Sequence, residues 1–174
     1  MTMPLFCYYI KFPERHAPAD TISHRATNQG DWCHLMPLDI DPRYWTVRYN
    51  GAVFPGSGHD GLDGGANCQV FAYAILADHG LHLPPFRSSD LWDDVLHTQV
   101  VEEWAPLDLV LLHSKPEPYG AHVGLYVGDG QVLHLAKHHG LPRVELLQDM
   151  QALPRYRFLI GGKRVIASPS HSHA

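Results

Sequence analysis

The sequence lacks the features that would tie it to nucleic acid or to a bilayer. Its 13 Lys and Arg are outnumbered by 18 acidic residues, for a formal charge of -5, and are scattered, so there is no basic stripe to neutralise phosphates. The longest apolar run, near Leu107 to Leu112, is broken by Asp108 and falls far short of the roughly 20 residues that cross a membrane. Cysteine is scarce. Cys7, Cys33 and Cys68 form an odd set with no CxxC pair, which excludes a disulfide framework and a zinc knuckle and leaves at least one free thiol. The opening stretch MTMPLFCYYIKFPERH has neither a basic n-region nor a small-residue cleavage site, so the expected location is cytoplasmic as synthesised.

What is abundant is punctuation. Fifteen glycines and 14 prolines in 174 residues predict many turns and much β structure within one globular domain. Residues 1–45, interrupted by Pro4, Pro13, Pro18, Pro37 and Pro42, read as an irregular extension or cap. The domain proper is expected over 46–165, and 166–174 (SPSHSHA at its end) as a disordered tail. A short β-like run, Trp45 to Val53, leads into the turn-rich loop FPGSGHDGLDGGAN.

After that loop the pattern becomes helical. CQVFAYAILADHG spaces Phe71, Ala74, Ile75 and Asp78 on one side, with Asn67 as N-cap and Gly80 as the C′ residue. A shorter helix is expected over Ser89–Leu96. Five strands follow, at 107–112, 122–127, 131–137, 143–147 and 155–160. A run of strands after a helix, without alternating helices, predicts an α+β fold with an antiparallel sheet of about five strands.

Cys68 opens the best helix directly behind the glycine-rich loop. Unpaired backbone N–H groups and the helix dipole would favour its thiolate, and its own N–H could face an oxyanion. Position alone also fits a small buried apolar residue. A nucleophilic thiol requires a base, and two histidines interrupt apolar strands: His122 begins HVGLYV and His134 sits in QVLHLAK. A three-residue turn of Gly128, Asp129 and Gly130 would set His122 opposite Ala136, leaving the imidazoles diagonal neighbours on one face. A two-residue turn of Asp129 and Gly130 would pair His122 with Lys137 and put them on opposite faces.

The order loop, Cys68 at a helix start, PLDLVLL, then AHVGLYVGDGQVLHLA resembles the NlpC/P60 cysteine peptidases over roughly residues 48–160. Asn67, Cys68, Gln69 and Val70 stand where that family carries Asp-Cys-Ser-Gly. Leu107 to Val110 stand at its Gly-Asp-Leu-Val, and His122 to Tyr126 at its His-Val-Gly-Ile-Tyr. The resemblance implies a papain-like fold and a Cys-His-His triad: Cys68 as nucleophile, His122 as base and acid, His134 as the group orienting the His122 ring. It places Tyr49, Asn67 and Gln69 around the substrate or oxyanion. The implied substrate is a peptide or muropeptide, first of all the γ-D-glutamyl to diamino acid bond of peptidoglycan stem peptides, with no cofactor. A non-wall amide substrate, acyl transfer or deamidation, and a non-catalytic binding module are the alternatives. Delivery outside the cell by a phage or secretion machine would reconcile a wall substrate with the absent signal.

Other motifs are weaker. Gly56, Gly58 and Gly61 spell GxGxxG, but no helix begins where a dinucleotide site needs one. His138 with His139, His171 with His173, and Cys33 with His34 do not supply a spaced four-ligand set, so no metal is expected. Phe71, Trp92, Trp104 and Tyr126 read as core or cleft walls.

Overall fold

A computed structural model describes residues 38–59 and 61–166. Most of the expected N-terminal extension, the tail beyond Ile166, Cys7, Cys33, and the His171 and His173 pair lie outside the described residues.

The fold is α+β. Helix α1 (Cys68–Asp78) is followed by the short α2 (Ser88–Asp93) and then by strands β1 (Thr98–Val101), β2 (Leu109–His113), β3 (His122–Gly128), β4 (Gln131–Leu135) and β5 (Pro142–Leu146). A one-turn helix α3 (Leu147–Gln151) and strand β6 (Phe158–Val165) complete it. All strand pairings are antiparallel, in the order β1-β6-β2-β3-β4-β5.

Among the described residues six strands form the sheet, where about five were expected. The additional one, β1, has a single fully buried residue, Thr98, and occupies an edge, so its composition carried little apolar signal. The expected strand at 155–160 begins later, because Pro154–Tyr156 turns as a 3-10 helix before β6 starts at Phe158. Helix α2 stops at Asp93, short of the expected Leu96. Its last carbonyls are taken by the buried Lys163 of β6, whose Nζ donates to Trp92 O at 3.0 Å and Asp94 O at 2.6 Å.

Helix α1 forms where its sequence predicts. The Asn67 side chain accepts from the N–H groups of Gln69 and Val70, at 3.1 and 2.8 Å. At the other end Gly80, with φ +75°, lets its N–H reach Ala77 O while Leu81 N–H reaches Leu76 O, so the chain leaves sharply. Phe71, Ala72, Ile75 and Leu76 bury α1 against β3 and β4. Leu109, Leu111, Val123, Leu125, Leu133 and Leu135 face them, whereas Val110, Leu112 and Val132 point to a second cluster with Met150 and Tyr156. Both faces of the central strands are therefore covered, which accounts for their continuous apolar runs. Ahead of α1, Leu38, Ile40 and Tyr44 join the larger cluster, and Tyr44 Oη donates to Ala74 O and to Asp78.

The β3–β4 hairpin combines both of the turn geometries that its sequence allows. Asp129 (φ 50°) and Gly130 (φ 72°) close a two-residue turn that pairs Gly128 with Gln131. One step further the register slips, and Tyr126 pairs with Val132 and Leu125 with Leu133. The extra residue, Val127, is a bulge on β3 that reverses the flip a two-residue turn would impose. His122 and His134 consequently share a face.

Candidate active site

His122 heads β3 and His134 sits inside β4, and their rings meet edge to face with His122 Nε2 2.9 Å from His134 Nδ1. Between them in register, Gly124 has no side chain. A Cβ there would lie 2.4 Å from Val132 Cγ1 and 3.4 Å from His134 Cβ, so glycine is what allows the strands to approach beside the two rings. His134 is fully buried, and its other nitrogen, Nε2, lies 2.7 Å from Glu145 Oε2 on β5. Because β4 pairs His134 with Arg143 and Val132 with Glu145, this contact is a diagonal cross-strand one.

The protonation pattern follows from these contacts. Burial disfavours charge on Glu145, but hydrogen bonding and charge from His134, with His139 nearby, hold its carboxyl below the ordinary value. Burial depresses His134 to about 4 in spite of that carboxylate. A neutral His134 facing a carboxylate carries its proton on Nε2 and donates it to Glu145, which leaves Nδ1 as acceptor. His122 Nε2–H therefore donates to His134, and the free lone pair of His122 is on Nδ1. Burial, reinforced by His134, His138 and His139, holds His122 well below its ordinary value, so its ring is neutral as well.

Cys68 starts α1 and is partly covered. Burial pushes its thiol up, and hydrogen bonds from the backbone N–H groups of Val123, Gln69 and Cys68 itself oppose that push without reversing it. The helix start thus supplies the expected N–H groups, but desolvation outweighs them, and the resting group is a thiol. Val123 directly follows His122, so the same strand end that carries the imidazole also faces the sulfur.

Tyr49 is brought beside this region although a long loop separates it from Cys68. It forms a parallel bridge with Ala66, supported by Ala66 N–H to Arg48 O at 3.0 Å and Asn50 N–H to Ala66 O at 2.8 Å. Gly65 makes the approach possible, since with φ +81° any Cβ would lie 2.5 Å from Arg48 O. Burial raises the Tyr49 phenol, and the Cys68 sulfur adds to the shift. Asn67 and Gln69 have structural engagements. Asn67 caps α1, and the buried Gln69 amide donates to Tyr73 Oη at 2.8 Å and Phe86 O at 2.9 Å.

Three neighbours also line this region, of which the sequence singles out only His139, as a pair with His138. Glu145 lies behind His134. Tyr156, whose phenol is raised to about 12 by burial and by Cys68, stacks under His122 with ring centroids 4.8 Å apart. His139 stands 3.4 Å from Glu145 Oε2 through its Nε2 and stacks on His138 at 3.9 Å. A diagonal His-Glu pair has no sequence signature without the β4–β5 register, and Tyr156 reaches the site only because the 3-10 turn folds back over the sheet.

Residues 48–154 match the NlpC/P60 family, and the chain belongs to it. Among solved structures, it is similar to NlpC2 from Trichomonas vaginalis, with 20% identity and a TM-score of 0.50 over 70% of this chain and 42% of that one. It also matches the peptidoglycan hydrolase RipB from Mycobacterium tuberculosis, with 23% identity and a TM-score of 0.48 over 72% of this chain and 61% of that one. The chain spans less than two thirds of the length of each. No curated protein matches it. No helix among the described residues is long and apolar enough to cross a membrane.

Proposed function

We propose that the chain is a cysteine hydrolase of amide bonds in which Cys68 is the nucleophile, His122 the base and acid, and His134 the group that orients His122. The observation that carries this reading is the 2.9 Å contact between His122 and His134, which turns His122 Nδ1 outward as a free base beside the strand end that faces the Cys68 sulfur. Thiol and imidazole both rest neutral. The proton therefore leaves Sγ as the sulfur attacks, and His122 Nδ1 receives it. The same proton passes to the leaving amine, and a thioester remains on Cys68. Water then adds to the thioester, gives a proton to His122, and releases the acid as the thiol is restored. The backbone N–H of Cys68 is suited to the oxyanion, whereas that of Gln69 is engaged by the Asn67 cap, and Tyr49 and Asn67 are suited to the substrate side of the nucleophile.

Membership of the NlpC/P60 family makes the γ-D-glutamyl to diamino acid bond of a peptidoglycan stem peptide the first substrate to test. Gln69 in place of the family's serine is compatible with this chemistry, because its side chain is tied to Tyr73 and Phe86 O. The test uses a muropeptide with that bond, with products followed by mass spectrometry, for wild type, Cys68→Ala and His122→Ala. Release of the free diamino-acid-bearing fragment by wild type alone is the expected result. Transfer of the acyl group to an added amine in preference to water would instead define an acyltransferase. Activity retained by Cys68→Ala would remove the nucleophile.

A further inference from the structure

We infer that His134, His139 and Glu145 form a binding site for a zinc-class divalent cation, whose occupation reverses the hydrogen bond between His134 and His122 and arrests the pair. The consequence for catalysis rests on the function proposed above; the site itself rests on geometry. One ligand atom from each of the three lies within 4.8 Å of the others, and His134 Nε2 and His139 Nε2 stand 2.7 and 3.4 Å from Glu145 Oε2. Two imidazoles and a carboxylate are a ligand set that zinc accepts, with a fourth position left for water or an incoming group.

The spacing is close to what coordination requires. Ligand atoms bound at zinc's usual bond lengths stand roughly 3.3 Å apart in a tetrahedron. The His139 to Glu145 distance is already 3.4 Å, and the His134 to Glu145 distance of 2.7 Å has only to open. All three side chains are held in place. His134 and Glu145 are fixed on adjacent strands, and His139 sits in the turn between them, where His139 and Gly140 N–H both return to Ala136 O.

An independent observation singles out His139. Its Nε2 is buried, yet among the described residues it makes no well-formed hydrogen bond, only a 3.4 Å approach to Glu145 Oε2, which is costly for a polar atom unless something else fills the gap. A cation between His139, Glu145 and His134 would satisfy that nitrogen.

The effect on His122 follows from which nitrogen the metal takes. Without metal, His134 donates from Nε2 and accepts on Nδ1. A cation on Nε2 displaces that proton, so the ring's remaining hydrogen must sit on Nδ1 and point at His122 Nε2. His122 must then accept there and carry its own hydrogen on Nδ1, where the thiol's proton would have to go. No covalent step or redox change is involved, and chelation reverses it.

The experiment is competition for Zn2+ against a chromophoric chelator, on metal-stripped full-length wild type, His139→Ala and His139→Gln, with the alkylation rate of Cys68 measured by mass spectrometry with and without Zn2+. The expected result is that Zn2+ binds wild type, that either substitution weakens it by about 10²-fold or more, and that Zn2+ slows Cys68 alkylation in wild type only. Equal binding by wild type and both variants overturns the site. Binding lost in the variants together with alkylation unmoved by metal overturns the switch. Protection of Cys68 that persists in the variants assigns the effect to direct thiol ligation and also overturns it. A Cys68 that alkylates like an ordinary thiol in stripped wild type counts against the hydrolase reading, and the binding comparison still decides the metal site. Unfolding midpoints of the stripped variants exclude loss of folding.

Discussion

Glu145 accepts a 2.7 Å hydrogen bond from Nε2 of the fully buried His134, so a carboxylate on β5 sets which nitrogen of the next imidazole faces His122. Three groups from three adjacent strands thus share one proton order, and the outermost of them, Glu145, is the one a sequence reader has least reason to choose.

If that order matters for catalysis, Glu145→Gln will fold normally and lower kcat/KM, because a neutral amide can rotate to donate to His134 Nε2 and reverse the chain. The expected loss is roughly 10- to 10²-fold, below the full contribution of general acid–base catalysis. It should fall mainly on kcat, with KM little changed. Steady-state kinetics on the muropeptide separate the two, and an unchanged kcat would reduce Glu145 to a packing residue.

Acid should destabilise the fold through the same histidines. His122 and His134 both carry depressed values in the folded state, His134 about 4, so the unfolded chain takes up protons that the native state refuses. Stability is therefore complete above the unfolded value near 6.5 and falls as pH drops from there towards 4. The His134 contribution is about 3 kcal/mol. Urea unfolding at a series of pH values tests this, and His134→Asn should flatten the slope.

Asp108, which interrupts the longest apolar run of the sequence, is a brace in the fold. It is buried, accepts from Arg164 Nε and Nη2 at 2.8 Å each, and accepts from Ala105 N–H at 2.7 Å. Asp108→Ala leaves a backbone donor and a guanidinium without their partner, and should cost about 2–4 kcal/mol. Thermal unfolding is the measurement, and the per-molecule rate of Cys68 alkylation should be unchanged below the new midpoint.

Leu107 occupies a left-handed conformation, φ 77°, at the position where the family resemblance expects glycine. Removing the strain by Leu107→Gly recovers about 1 kcal/mol, but the leucine also packs on the core, so the gain is offset and the net change should be within about 1 kcal/mol. Leu107→Val keeps an apolar side chain but adds branching that this conformation disfavours, and should be the more destabilised of the two. Paired chemical denaturation curves decide the order.

Much of this protein follows from local chemistry. Helix α1 is legible because its cap, its apolar spacing and Gly80 all act within a few residues, and the central strands because burial on both faces demands unbroken apolar runs. Cys68, His122 and His134 stand out for a related reason: a polar or reactive group at a helix start or inside an apolar strand is costly to bury unless it has a partner or a role. The edge strand β1 and the one-turn α3 were illegible, because neither buries enough to leave a pattern.

What only the tertiary structure decided is how these groups face each other. Whether the histidines share a face depends on one extra residue at Val127, since side chains alternate along a strand and a slip of one residue reverses them. Glu145 meets His134 only through the β4–β5 register, and Tyr156 and Tyr49 arrive from segments distant in the chain. Even the state of Cys68 is a tertiary property: the helix start alone favours a thiolate, and the desolvation that keeps it a thiol comes from everything packed around it.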